Sequence, residues 1–537
     1  MTKEKSVLQK ADKKRRLVSG VMILTAGNII VKLIGMIYKV ALQRTIGDDG
    51  MGYFNCAYTI YDLFLIISTA GLPVALSILI SRSRADGSLA DTKKIFRTAL
   101  GFFFSIGAVG CAIIFFLSRR FAIWVGNPAA YTCIAAIAPV LLFICMTSAM
   151  RGYFQGAQNM TPTALSQITE AAGKLVFGLL FAYVAIKKGK SISTVAAYVI
   201  LGLGVASALG MICTFLAKLF EKKEPSSAEG TLSTKSILKA LIRTAIPITI
   251  SASVLAVTNV FDLAVIMRRL QETGLSVEQA NNLYGNYTAL AVPMCNLPPV
   301  LIYPIGLAII PYISSALQRN DRETAKKVGA SSIKACALIG LPCSLGLSLL
   351  AGPILLIFYE EESVEKAAAL LMVLGFSCFF VGLVSVTNAI LQSYSHERLP
   401  IISMAAGAAV KLLSSYLLIG KIGIIGAPIS SVLCYITISL INMIFVIRAA
   451  GIFPKIYDSF VRPFFCALLC AAAGLLVNTL LSKLGTSRFF TLIAIAVSVV
   501  VYASLLILLR AIKREELELI PGGKALAKLL CKMKLLK

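Results

Sequence analysis

The chain has 537 residues, of which 58% are hydrophobic and only 14% are charged. Soluble globular domains carry about 25% charged residues, so this composition excludes a soluble enzyme. A net charge of +27 would suit a nucleic-acid-binding protein, but the cations lie in short segments between apolar runs. Positive loops that orient membrane helices explain the charge without nucleic acid.

Apolar runs long enough to cross a bilayer follow one another along the chain. Residues 1–16 are polar and basic, and the run after them is too long for the apolar part of a cleavable signal peptide. We therefore expect the first helix itself to direct insertion. We predict about fourteen spans. Their ranges are 17–42, 53–80, 98–117, 129–150, 163–186, 194–217, 244–267, 283–316, 328–351, 367–392, 400–419, 424–447, 463–481 and 489–509.

The distribution of Lys and Arg predicts the orientation of these helices. Segments on the side of the N-terminus hold about three times as many of these cations as segments on the opposite side, and cytoplasmic loops are the ones enriched in them. We predict a multi-pass protein of the bacterial plasma membrane with both termini in the cytoplasm.

The first span carries a stripe of small and polar residues on one face. The stripe consists of Asn28, Lys32, Gly35, Lys39 and Gln43. At helical spacing these residues fall within an arc of roughly 80°. A charge at mid-membrane costs roughly 2.5–3.5 kcal/mol, so the stripe predicts one wall of a cationic cavity. Lys39 and Arg44 lie nearer the external end, where extension of the side chain toward the headgroups is the alternative.

Acidic residues inside spans are the expected counter-charges. Asp62, in the second span, is predicted to pair with a lysine of the stripe, Lys32 or Lys39. Asp262, in the seventh span, is predicted to pair with a neighbouring arginine, Arg268 or Arg269. A proton or Na⁺ site is the alternative for both carboxylates.

The fifth and eleventh spans each contain a lysine. Glu170 and Lys174 are four residues apart with the acid first, which is the favourable order for a helical ion pair. A structural pair and a transport role are both compatible with this spacing. Lys411 has no acid four residues before it, and we predict that it contacts the substrate.

The two halves of the chain resemble each other. Gln155 and Gln392 are separated by the same number of residues as Lys174 and Lys411. Chance similarity between Leu-rich helices is the alternative. A repeat displaced by six spans keeps its orientation, so we predict an all-α fold with two parallel, pseudo-symmetric six-helix lobes and a substrate path between them. The predicted regions are an N-lobe (1–217), a cytoplasmic linker (218–243), a C-lobe (244–447) and a C-terminal helix pair with a basic tail (448–537).

The eighth span, 283–316, is longer than one crossing requires. It contains Pro293, Pro298, Pro299, Pro304 and Pro311. Proline removes a backbone donor and clashes with the preceding turn, so we predict a broken or strongly kinked helix.

Residues suited to enzymatic or metal chemistry are scarce. The thirteen cysteines lie almost all in apolar runs, no CxxC pair occurs, and His396 is the only histidine. We predict packing roles for the cysteines, no metal site and no catalytic residues. The ATP-binding pattern GxxxxGK[ST] is absent. No cofactor is predicted, and coupling to protons or a monovalent cation stays open.

The first helix also carries the most specific motif. A basic residue stands three positions before a glycine twice, as Lys32-x-x-Gly35 and Arg44-x-x-Gly47. In this register the chain resembles the lipid II flippase-like and stage V sporulation protein B-like branch of the multidrug/oligosaccharidyl-lipid/polysaccharide exporter superfamily, over essentially its whole length. Tyr38-Lys39 stands where the flippase pattern has an Arg-Asp pair.

The resemblance implies a two-lobe transporter with alternating access and a lipid-linked oligosaccharide diphosphate as its cargo. Membrane lipids and the cell-wall synthesis machinery are the implied partners. A diphosphate is anionic, so a cavity of basic side chains would offset its desolvation. The candidate substrate-binding residues are Lys32, Lys39, Arg44, Lys174 and Lys411. The candidate counter-charges are Asp62, Glu170 and Asp262.

The leading hypothesis is a flippase for an undecaprenyl-diphosphate-linked cell-wall precursor, either lipid II or a polysaccharide repeat unit. An ion-coupled multidrug antiporter would need a cavity dominated by acids. A membrane-embedded glycosyl- or acyltransferase would need a sizeable catalytic loop, and a scaffold would leave the lysines within spans unexplained. We expect Lys32→Ala to abolish function without unfolding the protein.

Overall fold

A computed structural model describes residues 2–86, 88–221, 232–483 and 488–508, without the side chains of residues 2–26, 28–29, 85, 251, 307 and 311. Every regular element in these ranges is helical, which confirms the predicted all-α fold class. The predicted basic tail, residues 222–231 of the predicted linker and the side chain of Asn28 lie outside the described residues.

The first part of the fold consists of eight helices. They are α1 (Thr2–Thr69), α2 (Leu72–Ala85), α3 (Leu89–Val125), α4 (Tyr131–Gly156), α5 (Thr161–Lys187), α6 (Ile192–Leu219), α7 (Thr234–Glu272) and α8 (Val277–Asn286). A short 3₁₀ turn, Pro128–Ala130, precedes α4.

Ten further α-helices follow. They are α9 (Val292–Cys295), α10 (Pro299–Gln318), α11 (Arg322–Leu349), α12 (Ala351–Phe358), α13 (Glu361–Gly375), α14 (Ser377–Ser393), α15 (Leu399–Ile422), α16 (Gly426–Phe445), α17 (Arg462–Ser482) and α18 (Arg488–Leu508). Gly423–Ile425 forms a 3₁₀ turn, and three π-helical segments cover Tyr287–Ala291, Val446–Ala450 and Tyr457–Val461.

Within the described ranges, 11 helices are long and apolar enough to cross a membrane, or up to 12 if the two parts of the bent α7 form one span. Two of these stretches, Ile30–Arg84 and Leu399–Ala450, have 55 and 52 residues. Because one crossing needs about 20 residues, each of them exceeds twice that length. The multi-pass architecture is confirmed, and the exact number of fourteen spans stays a prediction.

Helix α1 contains a kink at the position where the sequence separates the first two spans. Gly47 has φ 65° and ψ −177°, a backbone conformation that is open to glycine and strained for other residues. The second predicted span, 53–80, is not continuous, because α1 ends at Thr69 and α2 begins at Leu72. Helix α7 bends by 49° between Thr234–Ile250 and Ala252–Glu272.

The predicted break in the eighth span is confirmed. A π-helical segment follows α8, α9 ends at Cys295, and α10 begins at Pro299. Pro298 and Pro299 cannot donate backbone hydrogen bonds, which explains why the helix is interrupted at this point.

The chain forms two compact units. Unit 1 contains residues up to Met267 together with Val277–Gly285, and unit 2 contains Arg268–Ser276 and the chain from Asn286 onward. Each unit has its own apolar core: α2, α3, α4 and α7 contribute to one in unit 1, and α10, α11, α14 and α17 contribute to one in unit 2. Since most of α7 belongs to unit 1, the units do not follow the predicted lobe boundary, and the lobes defined by the repeat stay a prediction.

Candidate functional site

Four helices of unit 1, α1, α4, α5 and α6, contribute residues to a cavity of about 450 Å³. We call it the lysine cavity. Its charged lining residues are Lys39, Arg151, Lys174 and Glu170, and its polar lining residues are Tyr38, Asn55, Tyr58 and Gln167. Three cations therefore face a single carboxylate, which gives this lining a net positive charge.

Helical periodicity brings the lining residues onto shared faces. Gly35 and Lys39 are one turn apart on α1, whereas Gln167, Glu170 and Lys174 occupy one face of α5. Glycines let the helices approach closely, because small residues at a helix contact allow backbones to pack together. The clearest example is Gly202 of α6, where an added Cβ would lie 2.5 Å from the carbonyl oxygen of Phe177.

An ion-pair network centres on Glu170. Its Oε1 lies 2.8 Å from Lys174 Nζ, and its Oε2 lies 3.0 Å from Arg151 Nη2. Arg151 Nε also donates to Ser166 Oγ at 3.0 Å, and Ser207 Oγ donates to Glu170 Oε1 at 3.4 Å. The predicted Glu170–Lys174 pair is confirmed, and Arg151 makes it a triad.

Lys39 differs from the other two cations of the lysine cavity. Its side chain is half-buried, and it forms no hydrogen bond or ion pair with any residue in the described ranges. Two buried polar atoms on the same lining, Tyr38 Oη and Gln167 Oε1, also have no hydrogen-bond partner there. Lys39 Nζ and Tyr38 Oη can donate hydrogen bonds to water or to an anionic ligand, whereas Gln167 Oε1 can only accept one.

Three predicted site residues lie in one cavity. Two other predicted site residues, both on α1, are not part of its lining. Lys39, Glu170 and Lys174 share the lysine cavity. Lys32 and Arg44 have exposed side chains, are not among the residues that line it, and make other contacts. Their role in binding substrate stays a prediction.

The predicted pairing of Asp62 with a stripe lysine is wrong. Asp62 is half-buried, and among the described residues it forms no ion pair with Lys32 or Lys39. Lys39 lies eight residues before the kink at Gly47 and Asp62 fifteen after it, so their distances from the kink differ by about 10 Å at 1.5 Å per residue.

Arg269 is one of the two arginines, Arg268 and Arg269, that the sequence offers as partners of Asp262. Arg269 pairs with Glu272, donates from Nε to the carbonyl oxygen of Tyr416 at 3.0 Å, and stacks over the Tyr416 ring at 4.2 Å from its centroid. Asp262 is buried and makes other contacts. Lys411 is half-buried on α15 in unit 2. The roles predicted for Asp262 and Lys411 stay predictions.

Arg151 is the site residue that the sequence did not reveal. The fourth predicted span ends at residue 150, which places Arg151 in a loop, whereas α4 continues to Gly156. The aromatic pair Tyr153-Phe154 after the arginine offered one signal, since it continues the hydrophobic run past the predicted end of the span. Across the described ranges, no group of three or more His, Cys, Asp and Glu side chains is placed to hold a metal ion.

Comparison with known proteins reveals related families and folds. Residues 17–317 match the family model described as polysaccharide biosynthesis protein, and residues 288–417 match the MatE family. Stage V sporulation protein B of Bacillus subtilis (strain 168) is 24% identical over 513 residues, covering 95% of this chain and 98% of the relative. Lipid II flippase MurJ of the same organism is 24% identical over 489 residues, covering 88% of this chain and 89% of the relative.

Solved structures show the same fold. The inward closed conformation of lipid II flippase MurJ matches with a TM-score of 0.69 at 15% identity, covering 90% of this chain and 98% of the other. An inward-facing multidrug resistance MATE family transporter of the MOP superfamily matches with a TM-score of 0.64 at 14% identity. The match covers 78% of this chain and 94% of the other. At these identities the likeness concerns the fold.

Proposed function

Since the chain belongs to the polysaccharide biosynthesis protein family, within the multidrug/oligosaccharidyl-lipid/polysaccharide exporter superfamily, we propose that it is a flippase for an undecaprenyl-diphosphate-linked cell-wall precursor. The cargo would be lipid II or a polysaccharide repeat unit. Transport from the cytoplasmic to the outer leaflet would follow alternating access.

The observation that carries this proposal is the half-buried Lys39, which has no partner among the described residues and lines a cavity with a net positive charge. A diphosphate loses its hydration when it enters a low-dielectric cavity, and nearby cations offset that cost. Arg151 and Lys174 are held in place by Glu170, whereas Lys39 can turn its ammonium group toward an incoming phosphate. Lys39 is therefore the residue expected to contact the diphosphate most directly.

The proposal can be tested with purified protein in vesicles that contain lipid II labelled on its headgroup. Translocation is measured as the loss of label accessibility to a membrane-impermeant quencher. We expect Lys39→Met to lower the initial rate about 10- to 100-fold, because hydrogen bonds to charged groups contribute roughly 1.5–3 kcal/mol. Lys39→Arg keeps the charge and should retain most of the rate.

Lys188→Met is the matched control, because Lys188 is exposed at the end of α5 and lies outside the lysine cavity. Wild-type translocation by a well-folded Lys39→Met protein would contradict the role of the lysine cavity. A second lipid-linked oligosaccharide, assayed in parallel, separates the two candidate cargo classes.

A second candidate function is the ion-coupled antiport of drugs. The half-buried carboxylate of Asp62, which has no ion-pair partner among the described residues, and the match to the MatE family favour it. A positively charged cavity disfavours cationic drugs, so we rank it second. The test is transport of a lipophilic cation driven by an ion gradient. If Asp62→Asn abolishes this transport and Lys39→Met keeps it, drug antiport becomes the first-ranked function.

A further inference from the structure

A second cavity, of about 480 Å³, lies in unit 1 where the ends of four helices meet. The last turns of α2, α4 and α6 and the first turns of α3 contribute its lining, and it shares no lining residue with the lysine cavity. We call it the helix-end pocket. Because spans end where the bilayer meets water, this pocket lies at a membrane boundary, which is the cytoplasmic one in the predicted orientation.

The helix-end pocket is strongly basic. Arg84, Lys93, Arg97 and Lys218 line it, and Glu221 is the one acidic residue in its lining as described. Its size falls within the range typical of small-molecule sites. The four cations exceed the single carboxylate by three charges.

Two of the cations are fixed by a network around Glu221. Arg84 Nη2 lies 3.5 Å from Glu221 Oε1, Lys218 pairs with the same carboxylate, and Tyr153 Oη donates to Glu221 Oε2 at 3.0 Å. Lys218 Nζ also stands 3.6 Å from the centre of the Tyr153 ring, a cation–π contact. The rim of the pocket is therefore preorganised before any ligand enters.

The other donors of the pocket have no partner among the described residues. Lys93 and Arg97 are exposed, form no hydrogen bond or ion pair with a described residue, and stand one turn apart on α3, where like charges repel. Arg84 Nε is buried and has no hydrogen-bond acceptor within the described ranges. An anion bound between these groups would reduce the repulsion between Lys93 and Arg97 and would accept a hydrogen bond from Arg84 Nε.

The surroundings of the helix-end pocket indicate that this anion belongs to a lipid. Leu89 and Leu219 line the pocket beside the cations. Leu219 and the adjacent Phe220 are 61% and 84% exposed, which is expected of side chains that contact acyl chains. Basic pockets between membrane helices are a known way of holding anionic headgroups.

We propose that the helix-end pocket binds the anionic phosphate headgroup of a membrane lipid, at a site separate from the lysine cavity. The lipid can be an anionic glycerophospholipid or an isoprenoid phosphate, because both present the same oxyanion to these cations. The site does not depend on the proposed flippase function, since none of its residues lines the lysine cavity.

The proposal is tested by native mass spectrometry of the full, delipidated chain titrated with phosphatidylglycerol or with zwitterionic phosphatidylcholine. We expect one phosphatidylglycerol to bind more tightly than phosphatidylcholine to the wild type. In Lys93→Gln/Arg97→Gln we expect phosphatidylglycerol affinity to fall about 25-fold, since each lost cation near an anionic surface weakens binding about fivefold. Lys187→Gln/Lys188→Gln removes two exposed charges elsewhere and should leave the affinity unchanged.

Competition experiments identify the source of the phosphate. Bound labelled phosphatidylglycerol is displaced either by undecaprenyl phosphate or by unlabelled phosphatidylglycerol. If undecaprenyl phosphate acts at the lower concentration, the ligand is an isoprenoid phosphate. If it acts only at a higher concentration, the ligand is a glycerophospholipid. Equal affinity of wild type and Lys93→Gln/Arg97→Gln for phosphatidylglycerol would overturn the site. Displacement by inorganic phosphate at the same concentrations would overturn its assignment to a lipid.

Discussion

The side-chain amide of Asn281 donates a 2.8 Å hydrogen bond from Nδ2 to the backbone carbonyl oxygen of Asp49, two residues after the kink in α1. Asn281 Oδ1 accepts a 2.7 Å hydrogen bond from Asn127 Nδ2. Both asparagines are fully buried. Residues 232 positions apart therefore fix α8 against the kink, and Asn281 satisfies a backbone acceptor close to the point where helical geometry is interrupted.

Asn281→Leu should destabilise the protein markedly. The substitution leaves Asn127 Nδ2 and the Asp49 carbonyl without these partners, and each unsatisfied buried group costs roughly 1–3 kcal/mol. Thermal unfolding in a fixed detergent measures the effect as a lower Tm. Asn282→Leu is the control, because the hydrogen bond that Asn282 makes within the described residues, to Asp49 Oδ1, is exposed to solvent. Equal shifts for the two variants would argue against the buried network.

Gly52→Ala should disturb the same contact by steric overlap. A Cβ on Gly52 would lie 2.3 Å from the backbone carbonyl oxygen of Asn281, which cannot be accommodated without movement of α8. Overpacking of this kind costs roughly 1–3 kcal/mol. Gly101→Ala in α3 is the matched control, because its Cβ would meet nothing within 4 Å. We expect a lower Tm for Gly52→Ala and an unchanged or slightly higher one for Gly101→Ala.

Local patterns in the sequence predicted the features that depend on residues close together in the chain. The Glu170–Lys174 pair followed from a four-residue spacing, and the break before Pro299 followed from a cluster of prolines. The stripe of the first span placed Lys39 on a polar face. In each case one helix decides the geometry, and its periodicity is known in advance.

Features that depend on contacts between distant segments were not predictable in this way. Arg151 joins the ion-pair triad because α4 extends past the predicted span end, and helix ends are poorly determined by hydropathy. The partner of Asn281 lies on a helix far away in the chain. The wrong pairing of Asp62 has a related cause, since the sequence does not specify which side chains on the two sides of the kink at Gly47 lie at the same depth.

Glu170→Gln should lower stability more than the loss of an ordinary surface ion pair. It removes the carboxylate shared by Arg151 and Lys174, and breaking a fully buried pair costs roughly 3–5 kcal/mol. For Glu170→Gln, the loss in free energy of unfolding should lie at or below the lower end of this range, because the Lys174 side chain is 25% exposed. Unfolding of the purified variant in detergent checks the direction.

Two further variants make the Glu170 experiment specific. Glu362→Gln breaks an exposed pair with Lys366 at the same helical spacing and should change stability by less than about 1 kcal/mol. Glu170→Gln/Lys174→Met removes one of the two cations left unpaired, so we expect it to recover part of the lost Tm. No recovery would indicate that the triad is not coupled.

The first turn of α11 should depend on pH through its cap. Asp321 Oδ1 accepts a 3.0 Å hydrogen bond from the backbone N–H of Thr324, and hydrogen bonds from Thr324 hold the pKa of the Asp321 carboxyl below its ordinary value. Because the folded pKa lies below the unfolded one, the stabilisation is present above the ordinary pKa and is lost as pH falls through the lowered value.

Hydrogen exchange of the α11 N-terminal amides measures this effect. Asp321→Asn keeps a cap acceptor that does not titrate. We expect protection at Thr324 in the wild type to decline relative to the variant as pH falls below about 4, the ordinary range of an aspartate. Parallel behaviour of the two proteins over this range would contradict a titrating cap.

The two lysines of the first-helix stripe provide a direct test of which side chains act in transport. Lys39 lines the lysine cavity, whereas Lys32 is exposed and lies outside its lining, although the sequence alone predicts a larger role for Lys32. If the proposed diphosphate cargo binds in this cavity, Lys39→Met should lower lipid II translocation in vesicles more than Lys32→Met does. Elution of both variants as single species would show that the comparison concerns transport and not folding. A larger loss for Lys32→Met would move the binding site out of the lysine cavity, because the cation that matters would then lie elsewhere along the first helix.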